Sequence, residues 1–403
     1  MTNNKFDIIV WGSTGFTGKL VVEYMIKTYG VSKKLNWAIA GRNIDKLNAI
    51  KTNFLAPNLP IVVADSNDLD SIDKMTKKAK VICTTVGPYA KYGTGLVKMC
   101  IKNGTHYCDL AGEVQWIRKI IDNYHLEAQK KRIKIVNSCG FDSIPSDLGV
   151  YYIQKQLAAK KHKLKSINMR LVGAKGGISG GTYASLSNVR IEAMKDKKIF
   201  KILKNPYGLN PLGSMNGNDK KDLNKIVFDK FSNNWIAPFV MASINTKIVR
   251  RSNALSNFKY GKDFLYSEAT LCGKGYFGKI KAYLISFPLL ILALAKPGTF
   301  LKKIVDWILP KPGEGPNKKS RETGFFNFRF YIETNEGDNK IATVTGDMDP
   351  GYGSTSKMLA ECAVCLAKDN LDEIGGVLTP SVAMGDYLLE RLQNFAGITF
   401  KLK

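Results

Sequence analysis

Histidine, acidic residues and paired cysteines are all scarce in this chain, and each scarcity removes a class of protein. Only 3 histidines occur in 403 residues. The CxxC pair Cys362 and Cys365 lies on an apolar helical stripe with Met358, Leu359, Ala363 and Leu366, so core packing accounts for it and no metal site is expected. The 7 cysteines are odd in number and irregularly spaced; no disulfide framework is expected, and a reducing compartment is. The opening MTNNKFD lacks the basic, apolar and cleavage regions of a secretory signal, so the expected location is intracellular. Acids number 34 against 60 Lys and Arg, a net charge of +26. Such an excess suits nucleic acid, an anionic membrane or acidic ligands. The basic residues are mostly lysines spread along the chain, without an RNP, zinc-finger or homeodomain pattern, so no nucleic-acid partner is expected.

What is present begins with IIVWGSTGFTGKLV, residues 8–21. Ile8 to Trp11 reads as a buried strand, and Leu20, Val21, Tyr24 and Met25 recur at helical spacing, so Gly12 to Gly18 is a strand-to-helix turn. Glycines in such a turn let a pyrophosphate approach the backbone, while exposed N–H groups and the positive end of the helix dipole face it. A triphosphate loop GxxxxGK[ST] needs glycine where Ser13 stands and Ser or Thr where Leu20 stands. What remains is GxxGxxG, a variant of the dinucleotide fingerprint, with Gly12, Ser13, Thr14, Gly15, Phe16, Thr17 and Gly18 around the cofactor. An incidental glycine-rich turn is the plain alternative.

The next strand, in NWAIAGRN (residues 36–43), reaches the ribose-contacting place with Arg42 rather than an acid. A carboxylate there would accept the 2′-hydroxyl of NAD, whereas a guanidinium grips a 2′-phosphate through paired hydrogen bonds. Arg42 therefore points to NADP(H), against the alternative of a solvated surface arginine. A third strand ends at Asp65, placed to meet the adenine edge, and a fourth runs into Val86, Gly87, Pro88 and Tyr89.

Two further strands and helices carry the pattern to about residue 150, with Pro145 starting a helix. The chain length implies two domains. The expected fold is α/β: a doubly wound parallel sheet over 1–150, a second α+β domain with a mixed, mainly antiparallel sheet over 151–350, and C-terminal helices over 351–403 that return to the first domain. Strands with Gly-rich turns are expected from about Lys165, and the Asn-, Gly- and Pro-rich segment 205–222 is expected as an exposed loop. YLISFPLLILALA, residues 283–295, is 13 residues long, short of the roughly 20 that cross a bilayer. Lysines and aromatics at its edges suit an interfacial segment; a buried core helix or a homodimer contact are the alternatives.

GSTGFTG, AGRN, VGPYAKYG, HYCDLAGE, CGFDSIPSDLG, SGGTYASL, PGEGP, DPGYGSTSKML and GGVLTPSVAMGDYLLERL together resemble the saccharopine dehydrogenase-like oxidoreductases and the trans-acting enoyl reductases grouped with them, in the family's order and over nearly the whole chain. The resemblance implies a Rossmann domain, a substrate domain and nicotinamide-dependent oxidoreduction. Some bacterial relatives are implied to reduce enoyl bonds of polyketide-derived lipids, and animal relatives to associate with lipid droplets. A lipid-like substrate, at a membrane or lipid-droplet surface, follows as the expectation. Saccharopine chemistry would need a cluster of arginines that the sequence does not display.

For enoyl reduction the chain must place a hydride donor, polarise a carbonyl and supply a proton. The nicotinamide is expected beyond the fourth to sixth strands, beside Val86, Gly87, Pro88 and Tyr89; a packed turn aromatic is the alternative for Tyr89. Tyr183 and Asp142 are the rival proton donors, the second because burial can raise a carboxyl pKa. Cys139 is a third candidate, though a thiol at a strand end usually packs, and His106 and His125 read as structural. The competing functions are a dinucleotide-binding protein with little or no catalysis and a structural protein of lipid surfaces.

Overall fold

The structure, a computed structural model, describes residues 5–31, 34–176, 180–295, 299–308 and 315–403. The first half alternates strand and helix: β1 (Phe6–Trp11), α1 (Phe16–Tyr29), β2 (Trp37–Gly41), α2 (Ile44–Asn53), β3 (Ile61–Val63), α3 (Leu69–Thr76), β4 (Ala79–Thr84), α4 (Tyr89–Asn103), β5 (His106–Cys108), α5 (Val114–Lys130) and β6 (Lys134–Val136). There follow α6 (Ile144–Ala158), β7 (Leu164–Lys175), α7 (Gly180–Lys195), α8 (Lys197–Lys204), β8 (Val227–Asp229), β9 (Asn234–Ala237), α9 (Ala242–Leu255), β10 (Leu265–Gly273), α10 (Gly275–Leu294) and α11 (Phe300–Ile308). The chain closes with α12 (Lys318–Glu322), β11 (Phe325–Thr334), β12 (Asn339–Gly346), a π-helical turn at Pro350–Ser354, α13 (Thr355–Lys368), β13 (Gly376–Leu378), α14 (Pro380–Asn394) and β14 (Ile398–Leu402).

Two compact units result, Met1–Ile144 with Gly351–Gly397 and Pro145–Pro350 with Ile398–Lys403. The first holds a seven-stranded, wholly parallel sheet in the order β13-β6-β5-β4-β1-β2-β3. Every residue of β1 is buried, as a central parallel strand covered on both faces requires. The second holds a seven-stranded sheet, β14-β12-β11-β7-β10-β9-β8, antiparallel except for the β7–β10 pair.

Three expectations need correction. The segment 351–403 is not all helical: β13 extends the parallel sheet beside β6, and β14 pairs with β12 in the second sheet. ITFKL alternates apolar and polar residues but is too short to stand out in a sequence. Beyond Lys175 the stretch GGTYASL is the start of helix α7 rather than another strand. The segment 205–222 is not simply exposed, since Leu209 is fully buried. Its polar groups serve α9, whose Lys247, Arg250 and Arg251 are buried. Asp219 takes Arg250 at 2.6 Å, Asp222 faces Lys247 at 3.7 Å, and the Leu209 carbonyl accepts from Arg251. Buried cations need such partners, and they dictate a fold for a segment whose composition reads as loop.

In the first unit α13 lies between the sheet and α1, and its Glu361 is completely buried. The Tyr24 hydroxyl donates to this carboxylate at 2.7 Å and that of Tyr29 at 2.6 Å, while Arg391 of α14 approaches at 3.4 Å and pairs with Asp369 at 2.5 Å. One carboxylate thus ties α1, α13 and α14 together. Glu361→Ala removes the buried carboxylate that two half-buried hydroxyls and Arg391 share, and we expect unfolding free energy to drop by about 3 kcal/mol, read as a lower urea midpoint with an unchanged slope.

Candidate active site

The turn after β1 is built by backbone constraints. Gly12 has φ +86°, and a β-carbon there would lie 2.7 Å from Val86 Cγ2. A β-carbon on Gly18 would lie 2.1 Å from the Gly12 carbonyl oxygen, so only glycine lets α1 come this close to the end of β1. Gly15 is exposed, and a β-carbon on it would meet only the Gly12 oxygen, at 3.3 Å. Gly15 is also the N-cap of α1, with no capping side chain and no acid in the first turn. The start of α1 thus carries a bare glycine cap and no carboxylate of its own, features of a turn that receives a diphosphate.

The remaining turn residues divide between support and surface. Ser13 is fully buried and its hydroxyl donates to the Val10 carbonyl at 2.7 Å, so its side chain holds the turn from inside. Thr14 and Thr17 are half-buried. The half-buried Phe16 packs edge-on against Tyr352 with ring centroids 5.0 Å apart. Arg42 follows the last residue of β2, is exposed, and makes no ion pair among the described residues. Asp65 stands just past β3, where its carboxylate accepts from the Asn67 N–H at 2.9 Å and shapes the turn.

The β4 loop lies against the glycine turn. The Thr85 N–H donates to the Trp11 carbonyl at 3.0 Å, and its hydroxyl to that of Gly12 at 3.3 Å. Val86 and Pro88 are half-buried and Gly87 is exposed. Tyr89 is a correction: its ring is buried, stacked on Trp116 at 5.6 Å, and its hydroxyl accepts from the Leu110 N–H. The packed-aromatic alternative holds for this side chain. Glu113, not singled out in the sequence, is fully buried and accepts from the N–H groups of Tyr89 and Ala90 at 2.8 and 2.9 Å. It occupies the N-terminus of α4 from within, whereas the first turn of α1 has no acid of its own.

Beyond β5 and β6 stand two carboxyls. Asp109 is fully buried and accepts from the Tyr107 hydroxyl at 2.7 Å, the Asn137 amide at 2.8 Å and the N–H groups of Ala111 and Ser138. Burial nevertheless outweighs these donors and raises its pKa to about 6. Asp142, half-buried, is pushed up to about 7, first by desolvation and then by the charge of Asp109. Asp109 was missed, although a carboxylate at the carboxyl end of a parallel strand is where such sites form. Among the rivals, Cys139 is fully buried with its thiol raised by burial. His106 accepts from the Lys134 N–H and His125 from that of Val377, both structural. Tyr183 falls on α7, but its side chain lies outside the described residues.

Three arginines, Arg170, Arg250 and Arg251, are buried in the second unit, Arg170 pairing with Asp229 at 3.0 Å and Arg250 with Asp219. Arg251 donates to the Leu209 carbonyl. These cations answer to the chain's own acids and carbonyls.

A parallel sheet with a glycine turn, an uncapped helix and an arginine at the second strand defines a dinucleotide-binding oxidoreductase. Residues 8–136 match the saccharopine dehydrogenase NADP binding domain, so the first unit binds NADP(H). A Mycobacterium tuberculosis protein of the trans-acting enoyl reductase group is 38% identical over 99% of this chain and 98% of its own. The trans-acting enoyl reductase of Mycobacterium ulcerans is 35% identical over 96% of both chains. The chain belongs to this saccharopine dehydrogenase-like, trans-acting enoyl reductase family. In fold it is similar to apo saccharopine dehydrogenase (L-Glu forming) of Saccharomyces cerevisiae, with a TM-score of 0.55 at 14% identity over 98% of this chain and 99% of that one.

Two outcomes follow. Arg42→Asp should weaken NADPH binding by about 10- to 100-fold while changing NADH binding far less, as titration calorimetry would read. Asp142 holds its proton more tightly folded than unfolded, so its contribution to stability declines as pH rises from the ordinary carboxylate range through about 7. Asp142→Asn should therefore melt higher than the parent above neutral pH, with the difference vanishing in acid.

Proposed function

We propose that this oxidoreductase reduces an activated C=C bond in a lipid- or polyketide-like acyl substrate. The observation that carries the reading is Asp142: a half-buried carboxyl with a pKa of about 7, on the same sheet edge as the glycine turn and the Val86–Pro88 loop. The relatives named as enoyl reductases support the reaction type.

Bound NADPH supplies the hydride for such a reduction. The chain does the rest. Backbone N–H groups of Gly15 to Gly18 would hold the cofactor's diphosphate and Arg42 its 2′-phosphate. Val86, Gly87 and Pro88 would line the nicotinamide end. Asp142 keeps a proton at neutral pH because burial and Asp109 disfavour its anion, and it would give that proton to the carbon α to the substrate carbonyl. Solvent then restores the proton. A carboxyl with an ordinary pKa would be empty at neutral pH and could not serve.

NADPH oxidation by the purified protein with an α,β-unsaturated acyl thioester should yield the saturated thioester. kcat should fall tenfold per pH unit above about 7. Asp142→Asn should lower kcat by roughly 10²–10⁴ and abolish that limb while leaving NADPH affinity intact. Tight NADPH binding without turnover on any unsaturated acyl substrate would instead assign the chain to a binding role.

A further inference from the structure

We infer that α10, together with α11, forms a docking face that lies in the interfacial plane of an anionic membrane. The apolar stretch is one part of a 20-residue helix, Gly275–Leu294, of which an 18-residue window is long and apolar enough to cross a bilayer. Its packing shows a different use. An inner stripe recurring at helical spacing, Gly278, Ala282 and Ile285, faces the protein; Ala282 is fully buried with Ala237 and Cys272, and Ile285 packs beside them. The Arg190 guanidinium caps the other end, donating to the carbonyls of Leu292 and Ala295 at 2.8 and 3.1 Å. Held along its length by β9, β10 and α7, the helix lies on its unit and does not leave it as a span.

The opposite face is equally apolar and is bare. Phe277 is 84% exposed, Leu284 68%, Phe287 60% and Trp307 of α11 86%. The core-helix alternative is thereby excluded for this face, and a patch of this kind marks an interaction surface. Its charge names the occupant. From Ala269 to Val305 there is no Asp or Glu, while Lys274, Lys279, Lys281, Lys296, Lys302 and Lys303 fall within the same stretch. α10 carries no acid and α11 a single one, Asp306, beside its lysines; aromatic and aliphatic side chains flanked by lysine, with few acids, are the composition of helices that sink into the headgroup boundary of anionic lipid. A second copy of the chain fits poorly: a twofold contact would set two such lysine-rich faces, with Asp306 as the single acid of α10 and α11, against each other, in a protein carrying +26.

The inference stands apart from the reductase chemistry, and its test reads binding alone. Full-length protein is sedimented with phosphatidylcholine vesicles and with phosphatidylcholine–phosphatidylglycerol vesicles, while Trp307 fluorescence is followed. Binding to the anionic vesicles, weakened by salt and accompanied by a blue shift, is expected. Lys279→Glu with Lys281→Glu should cost at least about fivefold per lysine, and Phe277→Asp with Leu284→Asp should abolish binding, all variants retaining NADPH affinity as evidence of folding. Failure to bind either vesicle, binding unchanged in the Phe277/Leu284 variant, or a stable dimer that loses its contact in that variant would each overturn the assignment.

Discussion

The approach of α1 to β1 at Gly18 is the constraint on which the nucleotide edge of the first unit depends. With the Gly12 oxygen 2.1 Å from where a β-carbon would be, any larger residue would push the helix away and carry its uncapped N-terminus with it. The same turn touches the ends of two neighbouring strands: the Thr14 methyl lies beside Gly41 of β2, and Val86 covers Gly12 from the β4 loop. These three strands are adjacent in the order β4-β1-β2, where the connections diverge to opposite sides of β1. A crevice at that divergence is the general ligand site of parallel sheets, and here the glycines decide how near a diphosphate comes to its backbone donors.

Buried charge is used in two ways. Carboxylates serve as acceptors: Glu113 satisfies the start of α4, Glu361 joins three helices, Asp109 gathers four donors, and in the second unit Glu268 accepts from Asn245 and Tyr266. Buried cations of the second unit gather acids around them, Asp219 and Asp229 at Arg250 and Arg170. Such pairs add little net stability, because desolvation consumes most of the attraction, yet removing one partner is costly. They therefore act as positional locks. Asp142 differs from all of these in being half-buried with its pKa near neutrality, which is the condition for exchanging a proton rather than anchoring a helix.

The parts legible in the sequence were those governed by local rules. Gly12, Gly15 and Gly18 announce a strand-to-helix turn because their spacing and the apolar run before them are contiguous, and Arg42 stands out because its place is counted from that turn. Tyr89 misled because a turn aromatic has the same local pattern whether it faces ligand or core; Trp116, 27 residues further on, decides it. Segment 205–222 misled for a related reason: Asn, Gly and Pro lower local order, while the buried α9 cations that give the segment a structure are remote in sequence.

The amino-acid order by itself determined the alternation of strand and helix, the diphosphate turn and the basic, acid-free character of residues 269–305, since each arises from backbone propensity, hydrophobic period or charge within a few turns of chain. Tertiary structure alone decided which carboxyls are raised toward neutrality, which carboxylate fills the start of α4 and which face of α10 meets solvent. Those properties depend on desolvation and on partners brought together from distant positions, and neither exists until the chain has folded.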